Sequence, residues 1–76
     1  MSDFRVLTEA VIYGDVQKAV AETEGALDKG ADIQEILDKG FIAAMDEVGQ
    51  KYSKGQIFVP EMLRSAKTMK ECMRLI

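Results

Sequence analysis

Few side chains in this sequence have the chemistry that catalysis or metal binding requires. The 76 residues contain no histidine and a single cysteine, Cys72. A Ser-His or Cys-His nucleophile pair, a histidine-ligated haem and a mixed Cys/His zinc site are therefore excluded within this chain. The acidic residues lack the alternating spacing and central glycine of a calcium-binding loop. The sequence predicts no catalytic residue and no metal ligand, and it gives Cys72 no redox role.

The stretch that points to a function is apolar. Ile57-Phe58-Val59 lies between Gly55 and Pro60, which break one predicted helix and begin the next. Loops between helices are normally polar because they run over the surface, and an exposed apolar turn usually needs a partner to cover it. Tyr52 on the upstream side and Met62 on the downstream side enlarge the apolar stretch. These residues predict a contact site that works through shape and hydrophobicity.

Composition limits the partners. With 47% hydrophobic and 30% charged residues, the chain has the composition of an ordinary globular domain. The net charge of −3 argues against nucleic acid, because phosphate binding needs a clustered basic surface. No apolar run approaches the roughly 20 residues of a membrane span, and no signal peptide is recognisable. The single thiol suits a reducing compartment, so we expect a cytoplasmic protein.

Helical periodicity, together with glycines at the predicted helix ends, divides the chain into helices. Ser2 and Asp3 offer N-cap oxygens for a first helix that should end at Gly14. Asp15 is the predicted cap of a second helix, which should end at Gly30. Helices joined by so short a turn form an antiparallel hairpin.

The third helix should begin after Asp32 and continue to the glycine turn at Gly55. Gly40 falls in its middle and predicts a kink or a break. Gly49 costs about 1 kcal/mol relative to alanine within a helix, which favours a close approach by another backbone or a flat ligand over a tolerated surface glycine. Pro60 suits the first position of the fourth helix.

The predicted architecture is all-α: an antiparallel four-helix bundle whose third helix is long or kinked at Gly40. Phe4, Phe41, Met69 and Met73 are predicted core residues. The apolar pattern is still running at Ile76, so we expect these 76 residues to be an N-terminal part of a longer protein.

Residues 46–70 carry a resemblance to a known family. They read DEVGQKYSKGQIFVPEMLRSAKTMK and contain, in order, V-G, an aromatic residue, a glycine turn, F-V-P and a helix with S-A and a methionine. This order resembles the helical cap domain of corrinoid-binding methyl carriers, such as cobalamin-dependent methionine synthase and the corrinoid proteins of methanol and methylamine methyltransferase systems. Residues 40–45 and Tyr13-Gly14-Asp15 also fit, so the resemblance covers nearly the whole chain.

The resemblance implies a role for three residues. The family's cap lies over the upper, methyl-bearing face of cobalamin and shields it with apolar side chains. Carried over by motif position, the cofactor contacts fall on Tyr52, Val59 and Met62. The family commonly has phenylalanine where this chain has Tyr52 and leucine where it has Val59, so the tyrosine hydroxyl adds a polar group near the corrin.

The resemblance also implies a second domain. In the family the cap is followed by a doubly wound α/β domain that holds the cobalamin, and a D-x-H-x-x-G motif there supplies the cobalt ligand. Because this chain has no histidine, residues 1–76 would be the cap alone, with the corrinoid held mainly by a domain outside it. The implied partners are that α/β domain and methyltransferase subunits. The cap does not encode the methyl donor.

Two other functions remain open. The chain would be a small four-helix interaction or dimerisation module without a cofactor if the Ile57-Phe58-Val59 edge binds protein. A separate alternative for Tyr52, Val59 and Met62 is that they simply close the end of the bundle core. Homodimers of the isolated fragment are expected under either reading. A free-standing enzyme is disfavoured by the missing histidine, although the chain would still belong to a methyltransferase system.

Overall fold

The structure is a computed structural model that describes residues 4–76. Every regular element in this range is helical and none is a strand, which confirms the predicted all-α class. The elements are α1 (Arg5–Ile12), α2 (Val16–Asp28), α3 (Ile33–Glu35), a π-helical segment (Ile36–Ile42), α4 (Ala43–Ser53) and α5 (Val59–Met73). Because α3, the π segment and α4 follow one another without a gap, they form the long third helix of the predicted four-helix bundle. The predicted cap at Ser2 and Asp3 lies outside the described residues.

Three glycines end helices as predicted. Gly14, Gly30 and Gly55 have φ of 71°, 78° and 73°, values that glycine reaches without the steric cost of a Cβ atom. Each supports the same pair of closing hydrogen bonds. After α1, for example, the Asp15 amide donates to the Ala10 carbonyl at 2.8 Å and the Gly14 amide donates to the Val11 carbonyl at 3.1 Å. This Schellman arrangement satisfies carbonyls that the helix leaves unpaired.

Two aspartates cap helices as predicted. The Asp15 carboxylate accepts a hydrogen bond from the Lys18 amide at 3.2 Å, and the Asp32 carboxylate accepts one from the Gln34 amide at 3.0 Å. Each bond satisfies one of the amides that the first turn of a helix leaves free. The starts of α2 and α3 are thereby fixed by local sequence.

The short helix α1 lies at the centre of the bundle. It contacts α2, the π segment, α4 and α5, and it buries an apolar face of Leu7, Ala10, Val11 and Ile12. The other buried apolar residues around it are Phe4, Ala19, Ile36, Phe41, Ala44, Val48 and Cys72. The predicted core positions of Phe4 and Phe41 are confirmed.

Gly40 does not break the third helix, and the structure has a π-helical segment, Ile36–Ile42, at this position. The residue is buried against α1. A Cβ atom at Gly40 would lie 3.0 Å from Cδ2 of Leu7, which is tighter than an ordinary van der Waals contact. The glycine therefore serves the close approach of two helices.

The inner face of α5 differs from the prediction. Its buried residues are Ser65, Thr68 and Cys72, a small and partly polar face that apolar periodicity does not detect. Met69 is partly buried against the core, whereas Met73 is 45% exposed, so the predicted core position of Met73 is wrong. Small inner residues let α5 lie close to its neighbours and turn the methionines toward its side.

Gly49 also differs from the prediction. A Cβ atom there would meet no other atom within 4 Å, so no backbone packs against it.

Candidate functional site

The turn between α4 and α5 is built by local hydrogen bonds. After α4, the Gln56 amide donates to the Lys51 carbonyl at 2.9 Å, which closes the helix around Gly55. Phe58 is extended, with φ −110° and ψ 171°, and its amide donates to Oε1 of Glu61 at 2.8 Å. A carboxylate that accepts from the residue just before a helix is half of a capping box. The direction in which α5 leaves the turn is therefore set by Glu61.

The three apolar residues of this turn lie in two different environments. Ile57 is partly buried and packs against the core, while Phe58 is 72% exposed and Val59 is 44% exposed. Helix α5 begins at Val59, which places Pro60 at its second position rather than the predicted first. Ile57 anchors the turn, and its two apolar successors face solvent.

The structure places the three predicted contact residues on the two sides of this turn. Tyr52 lies in the last turn of α4 and is 45% exposed. Val59 and Met62 lie in the first turn of α5, where Met62 is partly buried against the core. Tyr52 and Val59 are accessible to a ligand, whereas Met62 also contributes to packing.

The α1–α2 turn lies at the same end of the bundle. The Ser65 hydroxyl donates to the Ile12 carbonyl at 2.7 Å, and the aliphatic part of the Arg64 side chain lies over Gly14. Two further large apolar side chains are thereby brought to this end: Tyr13, 69% exposed, and Leu63, 62% exposed. The sequence placed neither among the contacts, although Tyr13 belongs to the hairpin that carried part of the resemblance.

We call this surface the apolar end. Its members are Tyr13, Tyr52, Phe58, Val59, Met62 and Leu63. Several exposed apolar side chains at one end of a small domain form a candidate binding surface. What this surface offers a ligand is hydrophobic contact and the exclusion of water.

The described residues offer no site for a metal ion. No group of three or more Cys, Asp or Glu side chains within residues 4–76 could hold one, and the whole sequence lacks histidine. Among the same residues, no helix is both long and apolar enough to span a bilayer.

Cys72, the single thiol, is fully buried. Burial raises the pKa of the thiol above its usual value, the nearby Glu71 carboxylate raises it further, and a hydrogen bond with the Thr23 side chain lowers it. Because the thiolate is the reactive form, the structure makes Cys72 inert.

We predict that the Cys72 thiol reacts with Ellman's reagent at pH 8 at least roughly a hundredfold more slowly in the folded chain than in guanidinium, because labelling requires an opening of the bundle. The raised pKa also means that the unfolded chain loses its proton first. Stability should therefore decline as the pH rises through the usual thiol range and above. Equal labelling rates in the folded and unfolded chains would contradict this burial.

Comparison with known proteins identifies the family of this chain. Residues 4–76 match the protein family described as B12 binding domain. The chain is 37% identical over 68 residues to the trimethylamine corrinoid protein of Methanosarcina barkeri, covering 90% of this chain and 31% of that protein. It is 39% identical over 62 residues to trimethylamine corrinoid protein 2 of Methanosarcina mazei, covering 82% and 28%.

A third relative is monomethylamine corrinoid protein 2 of Methanosarcina acetivorans. It is 33% identical over 73 residues, which cover 96% of this chain and 34% of the relative. The chain thus spans about a third of the length of these curated relatives. No solved structure matches it significantly. The match across nearly all of its residues shows that this chain belongs to the B12 binding domain family, as the helical cap found in corrinoid proteins.

Proposed function

We propose that this chain is the cap module of a corrinoid methyl carrier and that it shields the upper, methyl-bearing face of the cofactor. In this proposal Tyr52, Val59 and Met62 contact the corrin. The observation that carries it is the exposure of Tyr52 and Val59, 45% and 44%, at the two sides of one turn. Singly exposed apolar residues are ordinary, but Tyr52 and Val59 lie beside the same turn as Phe58, which is 72% exposed.

The cofactor is proposed to be held mainly by a domain outside these residues. The chain contains no histidine to ligate cobalt, and no described cluster of carboxylates and thiol replaces one. The relatives are about three times as long as this chain, which leaves room for a second domain. Residues 1–76 would then be the N-terminal cap, and the α/β domain that follows would be its first partner.

When bound, the corrinoid supplies a cobalt centre that accepts a methyl group and passes it on. The side chains of the apolar end do no acid or base chemistry in this process. They exclude water and oxidants from the reactive face, which protects a reactive group from side reactions. The Tyr52 hydroxyl forms no hydrogen bond within residues 4–76, so it is free to meet either water or the cofactor's edge.

A methyltransferase needs the same face of the cofactor, so the cap must move away and return. A contact built from a few apolar side chains suits this motion, because each buried methylene contributes only about 0.8 kcal/mol. Methyltransferase subunits are therefore the second class of proposed partner. Closure and release would follow the gating behaviour common to enzyme lids.

The experiment is photolysis of the methylated cofactor in the longer protein that carries this chain. Val59→Ala removes two methylenes' worth of apolar contact, about 1.5 kcal/mol, and should shift the cap toward its open position by up to about tenfold. We expect photolysis to accelerate severalfold, and Tyr52→Ala to act in the same direction.

The matched control is Val6→Ala. Val6 is 43% exposed, nearly the same as Val59, but it lies in the first turn of α1. Its replacement should leave the photolysis rate at the parent value. If Val59→Ala and Val6→Ala give the same rate, the shielding role is wrong.

A second candidate is an interaction module that binds protein through the apolar end. The observation in its favour is the high exposure of Phe58 and Leu63, 72% and 62%, at positions outside the three proposed corrin contacts. An absorbance spectrum of the longer purified protein separates the two candidates. Corrinoid bands support the cap, and a colourless protein supports the interaction module.

A further inference from the structure

The π-helical segment Ile36–Ile42 changes the direction in which every later side chain of the third helix points. A straight α-helix turns about 100° per residue. A π-helical turn accommodates one extra residue without a break, so residues beyond it are turned back by about 100° relative to those before it. Burial on the two sides of the segment shows whether this rotation matters.

Two residues of α4 report the rotation. Measured from Ile36 in a straight α-helix, Met45 would point about 180° away and Val48 about 120° away. Ile36 and Val48 are nevertheless both fully buried, and Met45 packs against the core. With one extra residue the angles become about 80° and 20°, which agrees with the observed burial.

Tyr52 follows the same rotation. In a straight α-helix it would point about 160° from Ile36, and with the extra residue it points about 60° from it. A side chain in the first direction would face solvent. A side chain in the second direction lies at the edge of the helix face that packs on the core. The observed exposure of 45% fits the second.

Two side chains of α1 hold the segment in this form. The Thr8 hydroxyl lies 3.2 Å from the Lys39 carbonyl oxygen and 3.3 Å from the Gly40 carbonyl oxygen, close enough to donate to either. Leu7 packs so closely on Gly40 that a Cβ atom there would lie 3.0 Å from its Cδ2. The hydroxyl serves carbonyls in the widened turn, and the glycine provides the space for α1.

We propose that the π segment fixes the rotational setting of α4, and that Thr8 and Gly40 are positioning residues that bring Tyr52 onto the apolar end. The role of Tyr52 as a corrin contact rests on the proposed function. The rotational setting does not, because it follows from the burial of Met45 and Val48.

Variants that change the number of residues in the third helix test the rotational setting of α4. Deleting Lys39, whose side chain is exposed, removes the extra residue and should give a plain α-helix in which Met45, Val48 and Tyr52 keep their directions. Inserting an alanine after Lys39 adds a second extra residue and should turn α4 by about 100°. Each variant differs from the parent by one residue, but the side chains of α4 should keep their directions in the deletion and change them in the insertion.

The labelling rate of an engineered thiol reports the direction of the side chain at position 45, and the measurement needs no cofactor. In a Met45→Cys background with Cys72→Ala, iodoacetamide should react slowly with the introduced thiol in the parent and in the Lys39 deletion, and faster in the insertion. Thr8→Val keeps the side-chain shape but removes the hydroxyl donor. It should raise the labelling rate about two- to tenfold, the effect of losing one hydrogen bond.

Photolysis of the methylated cofactor in the longer protein is the second readout. The insertion should match Tyr52→Ala, and the deletion should match the parent. Fast labelling in the deletion, or parent-like labelling in the insertion, overturns the proposal. If neither length variant folds, Thr8→Val decides, and an unchanged labelling rate overturns it. If Tyr52→Ala itself leaves photolysis unchanged, the corrin contact fails while the labelling result still stands.

Discussion

Replacing Phe41 with alanine is expected to lower the free energy of unfolding by about 3–5 kcal/mol, the usual cost of removing a buried phenylalanine. Phe41 is 1% exposed and is the largest of the fully buried side chains in the described part of the chain. It lies in the π segment, where the surrounding backbone is held by α1 and has little freedom to close a cavity. The loss therefore combines transfer free energy with an unfilled space.

The size of the loss is large for so small a domain. A chain of 76 residues is expected to have a total stability of about 4–11 kcal/mol. Phe41→Ala should therefore leave a domain that is partly unfolded at 37 °C. Urea denaturation followed by circular dichroism measures the change directly.

Phe58→Ala provides the matched comparison, because it deletes the same atoms from a residue that is 72% exposed. The Phe58 amide donates to Glu61 through the backbone, so this hydrogen bond survives the substitution. We expect a change within about 0.5 kcal/mol, as for surface positions in general. Similar losses for the two variants would show that the bundle core is not where the structure places it.

Replacing Gly14 with alanine is expected to cost about 2–4 kcal/mol through two separate effects. The first is the φ of 71°, which an alanine adopts only at a cost of about 1–2 kcal/mol. The second is overlap with Arg64, because the added methyl group would collide with Cγ and Cδ of that side chain. Since α5 is held against α1 at this point, the side chain has to give up its contact.

Comparison with Gly55→Ala isolates the second effect, the overlap with Arg64. Gly55 has nearly the same φ, 73°, but a Cβ atom there would meet nothing within 4 Å. Its replacement should cost only the backbone term of about 1–2 kcal/mol. Thermal unfolding of both variants gives the difference. Equal losses would mean that Arg64 does not pack on the α1–α2 turn.

The positions of the helices could be predicted because local residues determine them. Gly14, Gly30 and Gly55 end helices through a backbone conformation that depends on the glycine itself, and Asp15 and Asp32 start helices through their own carboxylates. None of these effects requires knowledge of distant contacts. The boundaries of the helices are therefore determined by residues that are close in the sequence.

The facing of the helices was predicted less well because it depends on tertiary contacts. The inner face of α5 is Ser65, Thr68 and Cys72, which a count of apolar residues passes over in favour of the methionines. The π segment packs Gly40 against Leu7 of α1, a contact between residues far apart in the sequence, and helical periodicity along one segment contains no such information.

The candidate site likewise contains residues that the sequence could identify and residues that only tertiary contacts bring to it. Tyr52, Val59 and Met62 were assigned from motif order, and the structure leaves the first two accessible and packs the third partly against the core. Tyr13 and Leu63 join the apolar end only because the Ser65 hydroxyl and Gly14 bring α1 and α5 together. A sequence pattern within one helix could not place residues from two turns beside each other.

Ser65 gives the bundle a means of rejecting wrong arrangements. The buried hydroxyl of Thr23 and the part-buried hydroxyl of Thr68 donate to carbonyls within their own helices, so both bonds survive any sliding of α5. The Ser65 bond reaches α1 instead. A slip of one helical turn, about 5.4 Å, would strand a buried donor and acceptor at about 1–3 kcal/mol each. The Ser65 hydroxyl thus favours one alignment among several that hydrophobic contact alone would tolerate.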